Sequence, residues 1–343
     1  VKILRVGICG LGSMGMHHAM SLVRHPGVRL VAGADMEKKN RDRAARELKI
    51  DRLYRDGREL IRKEKPDVLW VCAPTYLHRE LTCMGLAAGM HVFCEKPMAG
   101  TLRECEAMIR AEQASGKFLM IGQVLRFWPE YLFLKETVSD GRYGKLQTLS
   151  LLRMGGVSTG FQGWFLDEMR GGSQIFDRHI HDTDAVLWIC GKPASVRVSA
   201  DVRDRQTAGG AVHSFTEYEF PGGPLVHAEG SADMPAGYPF TARYHAVFER
   251  ACVEFDSRCR ETLTVYDGKE VFHPELPHPA EDESSGLNIS SVGPYMLEQR
   301  HFLDCVRKGV PPDRVTPESA METIRTAKAE MRSERTGRRV ALR

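Results

Sequence analysis

Gly10-Leu11-Gly12-Ser13-Met14-Gly15 follows directly on the apolar run Leu4–Cys9 and leads into a helix-like stretch that ends near Val23. The pattern GxGxxG carries weight only in such a setting, where a strand turns tightly into a helix. Gly10 permits the turn, Gly12 lets backbone N–H groups approach a pyrophosphate, and Gly15 lets helix and strand pack closely. The N-terminus of that helix offers partial positive charge to phosphates. A second apolar run, Val28–Ala34, ends at Asp35, twenty residues past Gly15. An acid there is placed to hold a ribose 2′-hydroxyl.

Outward from this unit, residues 1–123 keep alternating. Apolar runs at 4–9, 28–34, 68–73, 90–94 and 118–122 predict strands, and helical stretches lie near 14–25, 37–48, 57–64, 77–88 and 101–115. Runs that are apolar throughout belong to a parallel sheet covered on both faces, which predicts a doubly wound α/β domain. Thr101 with Glu104 three residues on reads as a capping box, and Gly116 closes that helix.

The rhythm changes after 123. Segments 145–154, 194–202, 212–220, 224–232, 243–256 and 261–267 alternate or carry β-branched and aromatic residues, with turns such as Pro221-Gly222-Gly223-Pro224 between them. They predict an α+β domain over 124–343 with a largely antiparallel, open sheet. A helix is expected at 174–190, a loop at 273–293, and helices at 295–308 and 317–332.

Composition narrows the function. With 343 residues, 27% charged residues and a net charge of only +3, the chain is a poor candidate for nucleic-acid binding. No apolar run is long enough to span a membrane, and the nine scattered cysteines show no CxxC pair. A cytoplasmic protein with reduced thiols is the expectation.

Two further motifs carry a family resemblance. One is Ala73-Pro74-Thr75 with His78, followed by Glu95-Lys96-Pro97 after a strand. The other runs from Gly171-Gly172 through Asp177-Arg178-His179-Ile180-His181-Asp182-Thr183-Asp184 to Gly191-Lys192-Pro193. With the N-terminal glycines and the pattern around Tyr295, Phe302 and Pro317, the chain resembles the glucose–fructose oxidoreductase / inositol dehydrogenase / rhizopine-catabolism (Gfo/Idh/MocA) family over nearly its whole length.

The resemblance implies an NAD(P)-dependent dehydrogenase that moves a hydride from a ring hydroxyl of an inositol, sugar or sugar derivative. It implies a nucleotide site that includes Gly10, Gly12, Ser13, Met14, Gly15, Asp35, Ala73, Pro74, Thr75, His78, Glu95 and Lys96. Lys96 stands just beyond a parallel strand, where open α/β sheets hold ligands, and can stabilise a developing alkoxide. Without the motif it reads as a solvated surface lysine. Glu95 either orients Lys96 or touches the nicotinamide ribose.

Asp177 and His181 are four apart on a helix and share a face, which suits His181 as acid/base oriented by Asp177; the plain alternative is a surface pair. The apolar face of this helix is read as Phe176, Ile180, Leu187 and Cys190. Asp184 either orients His181 or caps local hydrogen bonds. His179 faces elsewhere and hydride transfer here needs no metal, so none is expected.

Arg126 reads equally as a substrate contact and as a structural ion pair. Gln162 is a candidate amide for substrate hydroxyls. The resemblance implies this role, since some inositol dehydrogenases of the family hold ring hydroxyls with an acid and an amide around 160–164; the absence of an acid there counts against inositol itself, and Trp164 either stacks on a sugar or fills core. Asp35 favours NAD, while Lys38, Lys39 and Arg41 keep NADP open. A homodimer or homotetramer is expected, to cover the open sheet. Two other functions share this nucleotide domain: glycoside cleavage through transiently reduced NAD, and non-catalytic NAD-binding regulation.

Overall fold

The computed structural model describes residues 3–156, 173–202, 211–277 and 293–342. The chain folds into two compact units, one of residues 1–123 with 295–322 and the other of 124–294 with 323–343. The N-terminal unit thus takes back a C-terminal segment that the sequence reading assigned to the second domain.

In the first unit a parallel sheet of six strands has the order β3-β2-β1-β4-β5-β6. Its strands are β1 (Leu4–Cys9), β2 (Val28–Ala34), β3 (Leu53–Tyr54), β4 (Val68–Val71), β5 (His91–Cys94) and β6 (Leu119–Ile121). The two-residue β3 was not anticipated, being too short to show a pattern. Helices α1 (Ser13–Arg24), α2 (Lys38–Leu48), α3 (Gly57–Glu64), α4 (Thr75–Ala87) and α5 (Leu102–Ser115) connect them. The strand order reverses between β1 and β4, and that switch point is where such sheets hold ligands.

The returning segment is held by aromatic packing. Trp70 stacks on Phe93 at 4.5 Å and Phe302 meets Trp70 edge-on at 5.7 Å, all three buried. Contacts of this kind add about 0.5–1.5 kcal/mol each beyond the area they bury.

The second unit is built on a nine-stranded sheet in the order β14-β13-β12-β11-β7-β10-β9-β8-β15. Its strands are β7 (Leu146–Met154), β8 (Ser195–Val202), β9 (Ala211–Glu219), β10 (Leu225–Ser231), β11 (Thr241–Phe248), β12 (Cys252–Asp256), β13 (Leu263–Tyr266), β14 (Val271–Phe272) and β15 (Val340–Ala341). Pairing is antiparallel except between β7 and β10, among the described residues. The single strand expected over 243–256 is two strands, because the chain reverses at Glu249 and Arg250.

One face of this sheet buries Leu149, Leu151, Val226, Tyr244, Val253 and Phe255. Against it lie α6 (Pro129–Asp140), a helix the sequence reading did not predict, and α7 (Ile180–Cys190). Two further helices, α8 (Gly293–Lys308) and α9 (Pro317–Thr336), close the chain. No described helix is long and apolar enough to cross a membrane. All nine cysteines are free thiols.

Candidate functional site

In the first unit the glycines divide by role. A Cβ on Gly10, at φ +93°, would lie 2.4 Å from the Cys72 carbonyl oxygen, and one on Gly15 would lie 1.9 Å from the Gly10 carbonyl oxygen. Neither position admits a side chain. Gly12 is different: it is the N-cap of α1, and no atom lies within 4 Å of where its Cβ would stand. No side chain caps that end and no acid lies in its first turn. An open N-terminus with orphan N–H groups fits a pyrophosphate.

Asp35 ends β2 as expected. Its Oδ2 accepts from the Leu11 amide at 2.7 Å and from Asn40 at 3.1 Å, and its Oδ1 accepts from the Glu37 amide at 2.8 Å. The carboxylate therefore locks the glycine loop to the second strand and keeps one acceptor position, on Oδ1. Of the neighbouring cations, Arg41 donates to the Asp35 and Met36 carbonyls, and Lys38 pairs with Asp42.

Two buried groups extend this site. Thr75 Oγ1, at the start of α4, and both ends of the Gln123 amide, just past β6, have no hydrogen-bond partner among the described residues. Orphan polar atoms at the C-terminal ends of parallel strands are what a bound dinucleotide satisfies. Gln123 was missed in the sequence, although a lone amide after an apolar strand is a visible signal.

The Glu-Lys-Pro turn follows β5, with a cis Lys96–Pro97 bond. Glu95 is buried: His18 Nε2 donates to its Oε1 at 2.6 Å, and the Lys96 amide donates to its Oε2 at 3.1 Å. Gln299 Nε2 in turn donates to His18 Nδ1 at 2.7 Å. Burial works against the Glu95 charge, yet the His18 hydrogen bond and the nearby Lys96 hold its carboxyl below the usual range.

His78 has both ring nitrogens on backbone carbonyls, Nδ1 on Pro97 O at 2.8 Å and Nε2 on Ala73 O at 2.7 Å. Burial pushes its pKa down, while the two carbonyls pull the other way. It acts as a strut that ties the Ala73-Pro74-Thr75 segment to the Glu-Lys-Pro turn.

In the second unit, the helix expected over 174–190 opens with a π-helical turn, Ile175–His179, before α7 begins. The wider turn changes the angle of about 40° that four residues span in a regular α-helix. Asp177, Arg178 and His181 are nevertheless its half-buried positions in a stretch otherwise buried from Gln174 to Val186. The predicted apolar face needs correction: Leu187 and Cys190 are only half-buried, and Ala185, Val186 and Ile189 take the core side.

The remaining titratable groups of this helix are committed inward. Arg153 holds Asp182 through contacts of 2.8 and 3.1 Å. Arg126 holds Asp184 through contacts of 3.0 and 2.7 Å, and Thr323 Oγ1 donates to Asp184 at 2.9 Å. Arg126 thus forms the buried ion pair that was one of its two readings, and Asp184 serves that pair. His179 is buried, with Nε2 3.0 Å from Thr216 Oγ1, and burial lowers its pKa to about 4.

Beneath lies Glu330, which accepts from Tyr218 at 2.8 Å and from Thr183 at 3.0 Å, its pKa raised to about 8 chiefly by burial. Gln162, Trp164, Gly171 and Gly172 lie outside the described residues, as does most of the expected loop at 273–293.

Comparison with known proteins agrees with this architecture. A profile described as "Oxidoreductase family, NAD-binding Rossmann fold" matches residues 4–123, and the GFO/IDH/MocA C-terminal domain matches 131–254. The chain is 25% identical over 322 residues to scyllo-inositol 2-dehydrogenase (NAD(+)) of Bacillus subtilis, covering 90% of this chain and 88% of that one. It is 33% identical over 203 residues to D-glucoside 3-dehydrogenase of Escherichia coli strain K12, covering 57% of each. The crystal structure of myo-inositol 2-dehydrogenase from Lactobacillus plantarum superposes with a TM-score of 0.84 at 25% identity over the full length of both chains. The chain is an NAD-binding oxidoreductase and belongs to the Gfo/Idh/MocA family.

Proposed function

We propose that this protein interconverts a ring alcohol of an inositol, sugar or sugar derivative with the corresponding ketone, Lys96 polarising the oxygen and His181 exchanging its proton. The observation that carries this reading lies on the helix of the second motif. His179, Asp182 and Asp184 are all buried, and both aspartates are bound to arginines, whereas Asp177 and His181 keep an accessible side. The names of the inositol and glucoside dehydrogenases among the relatives supply the substrate class.

Bound NAD supplies the hydride acceptor. The residues that would hold it are the α1 N-terminus behind Gly12, Asp35, Thr75 and Gln123. Lys96 places an ammonium where negative charge grows on oxygen, and the buried His18–Glu95 pair fixes the turn that carries it. His181 takes the hydroxyl proton in oxidation and returns it in reduction, with Asp177 holding the ring. The open sheet face exposes Phe215, Leu225 and Tyr266, which supports a homodimer or homotetramer. Light scattering in solution tests that assembly.

The decisive measurement is absorbance at the NADH band across inositols, aldoses and glycosides, with NAD and with NADP. His181→Ala is expected to lower turnover by about 10²–10⁴-fold while NAD binding stays measurable. Turnover at the wild-type rate would remove His181 from the reaction. Glycoside cleavage without NADH accumulation would replace the dehydrogenase reading with elimination through transient oxidation.

A further inference from the structure

The outer face of the nine-stranded sheet carries three donors of different chemistry at one point. His245 on β11 pairs in register with Glu254 on β12, and Cys252 points to the same face two residues before Glu254. Cys252 Sγ lies 3.1 Å from His245 Nε2, and Glu254 Oε1 lies 3.4 Å from the same nitrogen. The three ligand atoms fall within 4.8 Å of one another.

That both contacts fall on Nε2 is the telling feature. In a thiol–imidazole–carboxylate triad the acid holds one ring nitrogen and the thiol the other. Here a single nitrogen, with one lone pair or one proton, faces two partners. A cation at the centre of the three donors satisfies all of them at once.

Tetrahedral zinc, with bonds of about 2.3 Å to sulfur and about 2.0–2.2 Å to nitrogen or oxygen, separates its donors by about 3.3–3.6 Å. The nitrogen–oxygen separation of 3.4 Å matches that spacing, and the sulfur–nitrogen separation of 3.1 Å has to widen by about 0.4 Å to meet it. Neighbouring groups support the set. The Glu254 charge acts on Tyr266 and raises its pKa, and Arg243, next on that face of β11, is held by Asp256 at 2.8 Å. We propose that His245, Cys252 and Glu254 form a binding site for a borderline-soft divalent cation of the zinc type, with water in the fourth position. Binding converts the Cys252 thiol to a thiolate and releases one proton to solvent.

Cobalt(II) is the probe, titrated into the full chain after treatment with a chelator. The expected result is saturation at one equivalent, with a thiolate-to-cobalt band in the near ultraviolet and a visible spectrum of tetrahedral form. Cys252→Ser is expected to remove the near-ultraviolet band. His245→Gln is expected to weaken zinc at least tenfold in competition with a chromophoric chelator. Absence of the band at one equivalent would overturn the proposal. So would a band unchanged in Cys252→Ser, which would assign binding to one of the other thiols. Circular dichroism melts identify a variant that fails to fold, and the other variant then decides.

Discussion

The two units treat polarity in opposite ways. The first builds its site from backbone: bare N–H groups at the start of α1, a carboxylate that clamps an amide, and glycines where no side chain fits. The second puts charged side chains under the helix of interest, where Arg126–Asp184 and Arg153–Asp182 are buried ion pairs. A backbone site tolerates no added atoms, whereas a buried ionic layer tolerates no missing partner. Substitutions should therefore fail for different reasons in the two halves.

The largest expected effect is in the backbone site, where one substitution removes both stability and cofactor binding. Gly15→Ala, whose Cβ would meet the Gly10 oxygen at 1.9 Å, should lower stability by about 3 kcal/mol or more in urea denaturation and abolish NAD binding. Gly12→Ala, with open space around it, should melt like the wild type while losing about tenfold in NAD affinity. Identical behaviour of the two would erase the distinction between packing and ligand glycines.

Next comes the ionic layer. Asp182→Ala leaves the buried Arg153 without its carboxylate, at a cost of about 3–5 kcal/mol, and combining it with Arg153→Met should recover much of that loss. A double variant no better than the single one would show that the pair itself is not the source.

Glu330 gives a pH signature of intermediate size. Its pKa rises from 4.5 to about 8 on folding, so between those values the folded state holds the proton more tightly. Stability from this group is complete below its unfolded pKa and falls as pH rises through the folded one. Between about pH 6 and pH 8 the loss is roughly 2–3 kcal/mol, and Glu330→Gln should flatten it. Equal pH slopes in both proteins would sink this account.

The smallest effect sharpens the cofactor reading. Asp35→Ser should weaken NAD about tenfold, near 1.4 kcal/mol, and NADP less. Calorimetric titration with both nucleotides measures it, and an unchanged preference would take the acid off the ribose.

How much of this was legible in the sequence follows the same division. The glycine loop, Asp35, the capping box at Thr101 and the parallel strands are written in residues near one another, so spacing alone reveals them. The turn at Glu249 and Arg250 contains neither glycine nor proline, and two strands therefore read as one. Helix α6 lay in a stretch whose pattern was not assigned. His18, Glu95 and Gln299 are separated by 77 and 281 positions along the chain, and only folding brings them together. The same holds for Arg126 and Asp184, 58 apart, which is why the sequence leaves the arginine open between an ion pair and a substrate contact.

The nine-stranded sheet ends on both sides in strands of two residues, β14 and β15. A neighbouring chain seeking to extend the hydrogen-bonded ladder meets too few free amides and carbonyls to dock on either flank. Growth into filaments is thereby discouraged at both margins, and any copy that adheres to this sheet must do so through side chains on its broad surface.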